Sequence, residues 1–288
     1  MSHIEIEHGC ARSVEGRDAL MPLPCRVLAV SQETSDVKAL RITSLQGTRP
    51  FDAKPGQTAM LSIIPSGECM FCVSSQGEDY LEFTVKKVGF VTEQLHALRP
   101  GDAVGLRGPY GNWFPYEGLR GKDLLFIGGG IGMAPLRSLI TYLFDCRSEY
   151  GAIDLVYSGS TPDDLVFCRE IQEDWPRIDG VTVHLSVYRE SPGWDGEVAF
   201  TAPFLERLGY APDGRIAVLC GGPSLFRTCL ASLEKLGFAP EDIITTLEMR
   251  MKCGIGKCGR CNIGSHYICL DGPVFSIAEL HKIPGALH

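Results

Sequence analysis

The stretch MKCGIGKCGRCNIGSHYICLDGPVF, residues 251–275, holds Cys253, Cys258, Cys261 and Cys269 in the spacing C-x4-C-x2-C-x7-C. This constrains the local fold more than any other feature, because Gly254, Gly256 and Gly259 free backbone N–H groups to turn inward towards sulfur. The first three cysteines match a plant-type [2Fe–2S] spacing. Structural zinc is the main competitor, since four thiolates suit it too. Its usual signature, however, is two short C-x2-C knuckles across a longer loop, and only one such pair is present. Unligated thiols are the third alternative. Residues 249–288 are too few to close a core of their own, so ligation is expected to staple this lobe. Removing the metal is expected to unfold residues near 249–275 and spare the rest.

The chain has 288 residues, enough for two domains plus a small appendage. Its formal charge of −8 argues against nucleic acid or an anionic membrane as the main partner. The opening MSHIEIEHGCARS lacks a basic and then apolar leader, and the run LLFIGGGIGMAPL is too short and glycine-rich to span a bilayer. The expected location is therefore cytoplasmic, where twelve cysteines point to metal ligation or redox chemistry more than to disulfides.

Residues 1–21 show no clear periodicity and read as an N-terminal extension. Residues 22–112 carry short alternating runs, CRVLAVSQ, VKALRIT, TAMLSII, LEFTVKKV and DAVGLRG, punctuated by KPGQ, PSGE and RPGD, which is the rhythm of a small antiparallel barrel. Over residues 113–248 the period changes. DLLFIGG, IDLVYSG, VTVHLSV, IAVLCGG and IITTLE read as strands, alternating with helices over APLRSLITYLFD, DLVFCREIQEDW, PFLERLG and SLFRTCLASLEKLG. That alternation implies a parallel sheet covered on both faces. The expected architecture is thus a β barrel plus an α/β domain, followed by the cysteine lobe at 249–288.

The turn GGGIGMAPLRS follows the first parallel strand and opens its helix, where free N–H groups can meet a pyrophosphate. The strict G-x-G-x-x-G pattern fails at Met133. A second loop, CGGP at Cys220–Pro223, lies at the same carboxyl edge of the sheet. Together with the barrel, these motifs resemble the ferredoxin–NADP reductase superfamily over roughly residues 22–248. That resemblance implies an FAD-binding barrel and an NAD(P)-binding sheet domain. It puts Gly128, Gly129, Gly130, Ile131, Gly132, Ala134 and Pro135 on the nucleotide pyrophosphate. Cys220, Gly221, Gly222 and Pro223 would lie beside the nicotinamide, and Tyr157–Thr161 with Asp164 near ribose and adenine. No basic cluster suits a 2′-phosphate, Arg189 being the nearest candidate, so NADH is favoured over NADPH.

The family's flavin strand, Arg-x-Tyr-Ser-x-x-Ser, corresponds to CMFCVSS. Phe71 takes the aromatic slot, Cys72 the hydroxyl slot beside the flavin, and Val73, Ser74 and Ser75 complete it, while Cys69 replaces the arginine and removes the usual phosphate charge. A phosphate contact is expected instead from Gly89, Val91 and Thr92 in GFVTEQL, whose plainer reading is a helix capped by Thr92. Cys69 and Cys72 also form a C-x-x-C pair, but on a strand that spacing points them to opposite faces, against a redox disulfide. His96 and His184 read as surface or capping residues.

The cysteine lobe completes a resemblance covering over nine tenths of the chain. It is similar to the gamma subunits of cytoplasmic [NiFe] hydrogenases (sulfhydrogenases), the B subunit of anaerobic sulfite reductase and, more distantly, the electron-transfer subunit of dihydroorotate dehydrogenase. A nicotinamide gives up two electrons as hydride, a cluster accepts one at a time, and a flavin can do both. The expected function is a diaphorase-type electron-transfer subunit of an anaerobic multi-subunit oxidoreductase. It would pass electrons between NAD(P)H, FAD and a [2Fe–2S] cluster, to or from a partner catalytic subunit. A free-standing NADH-dependent reductase with a soluble acceptor and a zinc-stapled nucleotide sensor remain as alternatives.

Overall fold

The computed structural model describes residues 4–7 and 18–287. Most of the N-terminal extension therefore lies outside the described residues, although Ile6 is buried against the sheet domain. Six strands close an antiparallel barrel in the order β1-β2-β5-β4-β3-β6: β1 (Leu23–Thr34), β2 (Val37–Ser44), β3 (Thr58–Ile63), β4 (Gly67–Gln76), β5 (Leu81–Lys86) and β6 (Ala103–Tyr110). Closure removes the exposed edges that an open sheet would leave. Leu40, Ile42, Leu61, Leu81 and Phe83 are fully buried in its core. Helix α1 (Phe90–Ala97) follows β5 and covers one end of the barrel.

The second domain is a seven-stranded sheet in the order β10-β9-β8-β7-β11-β12-β15. Its strands are β7 (Asp123–Gly129), β8 (Ile153–Gly159), β9 (Val181–Val187), β10 (Glu197–Val198), β11 (Arg215–Cys220), β12 (Ile243–Thr246) and β15 (Val274–Ser276), and its helices are α2 (Met133–Asp145), α3 (Thr201–Leu208) and α4 (Pro223–Lys235). All pairs are parallel except β12 with β15. β7 and β8 bury nearly every residue, as strands covered on both faces must. Helix α2 buries Leu136, Leu139, Ile140 and Leu143, spaced one turn apart along one stripe. The strand order reverses between β7 and β11, and the chain leaves both strands at the same edge, so the two glycine loops meet at the switch point where such sheets bind ligands.

Two findings depart from the sequence expectations. The stretch DLVFCREIQEDW is not a regular helix: it breaks at Phe167, φ +58°, into a turn followed by a π-helical turn at Glu170–Asp174. Leu165, Val166 and Phe167 are all buried, and three consecutive apolar residues cannot share one helix face. The chain twists there to bury all three. The second concerns the terminal lobe, which contains the small hairpin β13 (Asn262–Ile263) and β14 (His266–Tyr267) and the short helices α5 (Ile268–Asp271) and α6 (Ile277–Leu280). From Ile268 onward it is held by apolar burial, with Ile268, Phe275, Ile277 and Leu280 packed into the sheet domain's core. That half therefore has an apolar hold on the sheet domain beside any ligation through Cys269.

The barrel and sheet are locked together by charge. Arg137 of α2 donates to both Glu82 of β5 and Glu170, at 2.6 and 2.8 Å, and lies 4.3 Å over the Phe167 ring. Arg41 of β2 donates to the other oxygen of Glu82 at 2.8 Å.

Candidate functional site

A cavity of about 280 Å³ lies where barrel, sheet and lobe meet. The barrel contributes Thr58, Met70, Phe71, Cys72, Thr84, Lys86, Val88 and Thr92; the loop after β7 and the start of α2 contribute Ile131, Ala134 and Pro135; Thr246–Met249 and Met251 close the far side. Of the flavin-strand residues, Phe71 and Cys72 face this cavity. Val73 packs inside the barrel, Ser74 is buried and donates to the Glu82 carbonyl, and Ser75 lines a separate hollow of about 210 Å³. Thr92 is not the helix cap. Gly89 holds that position, and the Thr92 hydroxyl accepts from the Val88 and Gly89 N–H groups at 2.9 Å.

Lys86, which sequence reasoning did not single out, lines this wall in a region where no arginine was available, 3.3 Å from Asp36. Its signal was faint. In FTVKKVG the two lysines look alike, and only the strand register decides which one faces inward.

Beside this cavity opens a cleft of about 610 Å³, walled by Gly129, Gly130 and Ile131, by Ser158, Gly159, Ser160 and Asp164, and by Tyr188, Thr201 and Gly222–Leu225. Lys86 and Ile131 belong to both spaces. Gly132 must be glycine here, because a Cβ on it would come within 2.5 Å of the Cys220 carbonyl oxygen of the facing loop. Tyr157 stays behind the wall, fully buried, and its hydroxyl donates to the Gly130 carbonyl at 2.9 Å. Among the described residues that line the cleft, Lys86 is the one cation, and Arg189 does not line it.

Cys220 is buried, with its sulfur 3.3 Å from the Thr246 hydroxyl. Burial pushes its thiol up to about 12, and burial likewise raises Cys72, which feels both Cys220 and Glu248. Both are neutral at pH 7. They can pack and hydrogen-bond but not act as bases. Glu248 opens onto the cavity, and the surrounding walls raise its carboxyl above the ordinary range. His184 sits half-buried, edge-on to Phe204 and Tyr210, and burial lowers its pKa; it packs against these rings, where a surface or capping role was expected.

In the lobe Cys253 has Cys258 as a side-chain neighbour, and Cys269 has both Cys261 and Cys253 near it. Among the described residues no three His, Cys, Asp or Glu side chains converge as a single metal ion would require. Backbone N–H groups of Ile255, Lys257 and Cys258 point at the Cys253 sulfur, 3.3–3.4 Å away, and Gly256 donates to Cys269 at 3.2 Å. Burial alone would raise Cys253, but those three donors outweigh it and bring the thiol down to about 7. A loop that collects N–H groups around sulfur is built for thiolates.

The family model for the iron–sulfur cluster binding domain of dihydroorotate dehydrogenase B matches residues 248–281, and that for the oxidoreductase NAD-binding domain matches residues 126–230. The sulfhydrogenase 1 subunit gamma of Pyrococcus furiosus is 38% identical over 263 residues, covering 88% of this chain and 90% of the relative. The chain belongs to the family of sulfhydrogenase gamma and dihydroorotate dehydrogenase B electron-transfer subunits. From that second branch, the probable dihydroorotate dehydrogenase B (NAD(+)) electron transfer subunit of Methanocaldococcus jannaschii is 30% identical, covering 88% of this chain and 89% of the relative. Among solved structures, an NADH-dependent reduced ferredoxin-NADP oxidoreductase studied for flavin-based electron bifurcation aligns with a TM-score of 0.71 at 22% identity, covering 92% of this chain and 90% of that one. A ferredoxin NADP+ reductase from Neisseria gonorrhoeae with bound FAD and NADP aligns with a TM-score of 0.64 at 21% identity, covering 77% of this chain and 96% of that one. These two likenesses carry the fold.

Proposed function

We propose that this family member is the electron-transfer subunit of a hetero-oligomeric, cytoplasmic oxidoreductase, using NADH, FAD and a [2Fe–2S] cluster held by Cys253, Cys258, Cys261 and Cys269, with a hydrogenase-like catalytic partner. One observation carries the reading. The cleft and the cavity are contiguous, because Ile131 and Lys86 line both, and Met251, on the cavity wall, stands two residues before Cys253.

FAD, when bound, supplies the conversion between two-electron and one-electron chemistry. The chain's own residues do the positioning. Phe71 and Cys72 bound the flavin site on the barrel side, the Gly129–Gly132 loop and α2 N-terminus offer N–H groups to a pyrophosphate, and Cys220 with Gly221, Gly222 and Pro223 backs the nicotinamide. The neutral thiols of Cys72 and Cys220 leave the proton inventory of the site unchanged near pH 7. The C-x4-C-x2-C spacing of the first three cysteines, in a loop whose N–H groups point at sulfur, supports a [2Fe–2S] cluster over zinc. A cleft whose lining holds Asp36 and Asp164 but no arginine supports NADH over NADPH.

The test is anaerobic purification followed by absorption spectroscopy and low-temperature EPR, first with NADH and then with dithionite. A flavin spectrum bleached by NADH, together with a rhombic S = 1/2 signal under NADH or dithionite, is expected. Zinc in place of iron, with no flavin, would overturn the reading.

A further inference from the structure

Arg107 is the least explained charge in the barrel. It lies on β6, is 4% exposed, and takes no part in either ligand-sized space. Its guanidinium has five N–H donors, and all five are used. Nε and Nη2 fork onto the Glu68 carboxylate of β4, Nη1 donates to the Tyr110 hydroxyl at 2.9 Å, and Nη1 and Nη2 reach the Cys253 and Lys252 carbonyls, both at 2.6 Å. Two consecutive carbonyls of the cysteine loop are thus held by a barrel side chain 145 and 146 residues earlier.

The anchor is continuous with the cavity wall. Met60 of β3 pairs with Arg107 on one side and with Met70 on the other, and Met70 lines the cavity. β6 therefore stands two strand spacings, about 10 Å, from the wall strand β4. On the loop side, Met251 lines the same cavity, one residue before the clamped Lys252. Tyr110 braces the next position, its ring lying against Gly254, where φ is +78° and a Cβ would come within 2.8 Å of the ring. Arg107, Glu68 and Tyr110 fix Met251–Gly254, the segment that leads from the cavity wall through Cys253.

We propose that Arg107 is a positioning residue for the one-electron step between the flavin cavity and the cysteine lobe. Buttressed by Glu68, it sets the gap across which electrons pass without touching either carrier. This rests on the functional reading above. Electron transfer weakens steeply with separation, so a slackened loop slows that step, while hydride transfer on the other side of the cavity is untouched.

The experiment uses the full chain, purified anaerobically with flavin and iron content matched to wild type. Stopped-flow mixing with NADH follows flavin bleaching and then cluster reduction, and amide exchange follows residues 250–257. In R107M, bleaching is expected at the wild-type rate, cluster reduction about tenfold or more slower, and exchange in the loop faster. R107K, which keeps the charge but not the fork, should recover part of the loss, and E68Q should fall between wild type and R107M. Cluster reduction at the wild-type rate in a loaded R107M would overturn the proposal. If R107M fails to fold or to load iron, E68Q decides: slowed cluster reduction supports the proposal and a wild-type rate sinks it. Absence of any cluster signal in the wild-type chain would instead overturn the functional reading, and this proposal with it.

Discussion

Gly132 and Glu68 show how single positions carry geometry that no local pattern announces. Substituting Gly132 by Ala drives a methyl against the Cys220 carbonyl oxygen and pushes the two nucleotide loops apart. Overpacking of this kind costs about 1–3 kcal/mol. Roughly tenfold or more weaker NADH binding is expected by titration, with iron and flavin contents unchanged. Glu68 is partly desolvated, which raises its carboxyl, but the Arg107 fork prevails and the net pKa lies below the ordinary 4.5. A lowered carboxyl adds stability that is complete above its unfolded pKa and lost as pH falls through the folded one. The stability difference between wild type and E68Q should therefore be full above pH 4.5 and shrink below it in acid denaturation. Glu68 was invisible in the sequence because its meaning lies in Arg107, 39 residues away. The four cysteines, by contrast, stood out as a candidate ligand set because their spacing is local, within seventeen residues of chain.

At the scale of elements, the terminal lobe has two halves with different physics. Residues 249–267 hold the cysteine loop and a two-rung hairpin and bury little apolar surface beyond Met251 and Cys261, whereas Ile268 onward is packed into the sheet domain. Chelation of the metal should raise amide exchange over 250–266 and leave 268–283 protected, a narrower response than the one expected from sequence length alone. Phe275, 1% exposed, sits in that second half. Phe275→Ala should cost about 3–5 kcal/mol by denaturant titration. The sheet strands were readable because continuous apolar runs suit strands covered on both faces. The stretch at 164–175 was misread because its helical spacing competes with three adjacent apolar residues that tertiary packing buries together.

Across the whole molecule, charge is unevenly spread. The chain carries −8 overall, yet residues 249–270 contain Arg250, Lys252, Lys257 and Arg260 and no acid. All four cations are exposed, as is Cys258. Screening acts over about 8 Å at physiological salt, so this local field, not the net charge, governs small ions that approach the lobe. Reduction of ferricyanide by the NADH-reduced protein should slow as ionic strength rises, and the double variant K257E/R260E should flatten or invert that dependence. Within the molecule, Arg137 joins Glu82 of the barrel to Glu170 of the sheet domain and keeps cavity and cleft in register. Its partners lie 55 and 33 residues away, and no sequence period links them.

The sequence by itself determined the architecture and its order, because strand and helix periods, glycine turns and cysteine spacing are local and act through the chain's own backbone. It also marked the loops after β7 and β11 and the cysteine set. Only the tertiary structure decided which residues face the cavity, that Lys86 lines both cavity and cleft, that half of the lobe is held by apolar burial, and that Arg107 grips the cysteine loop. Each of these depends on strand register and on contacts between distant segments. Burial and hydrogen bonding are satisfied by whatever side chain the fold delivers, from any distance along the chain.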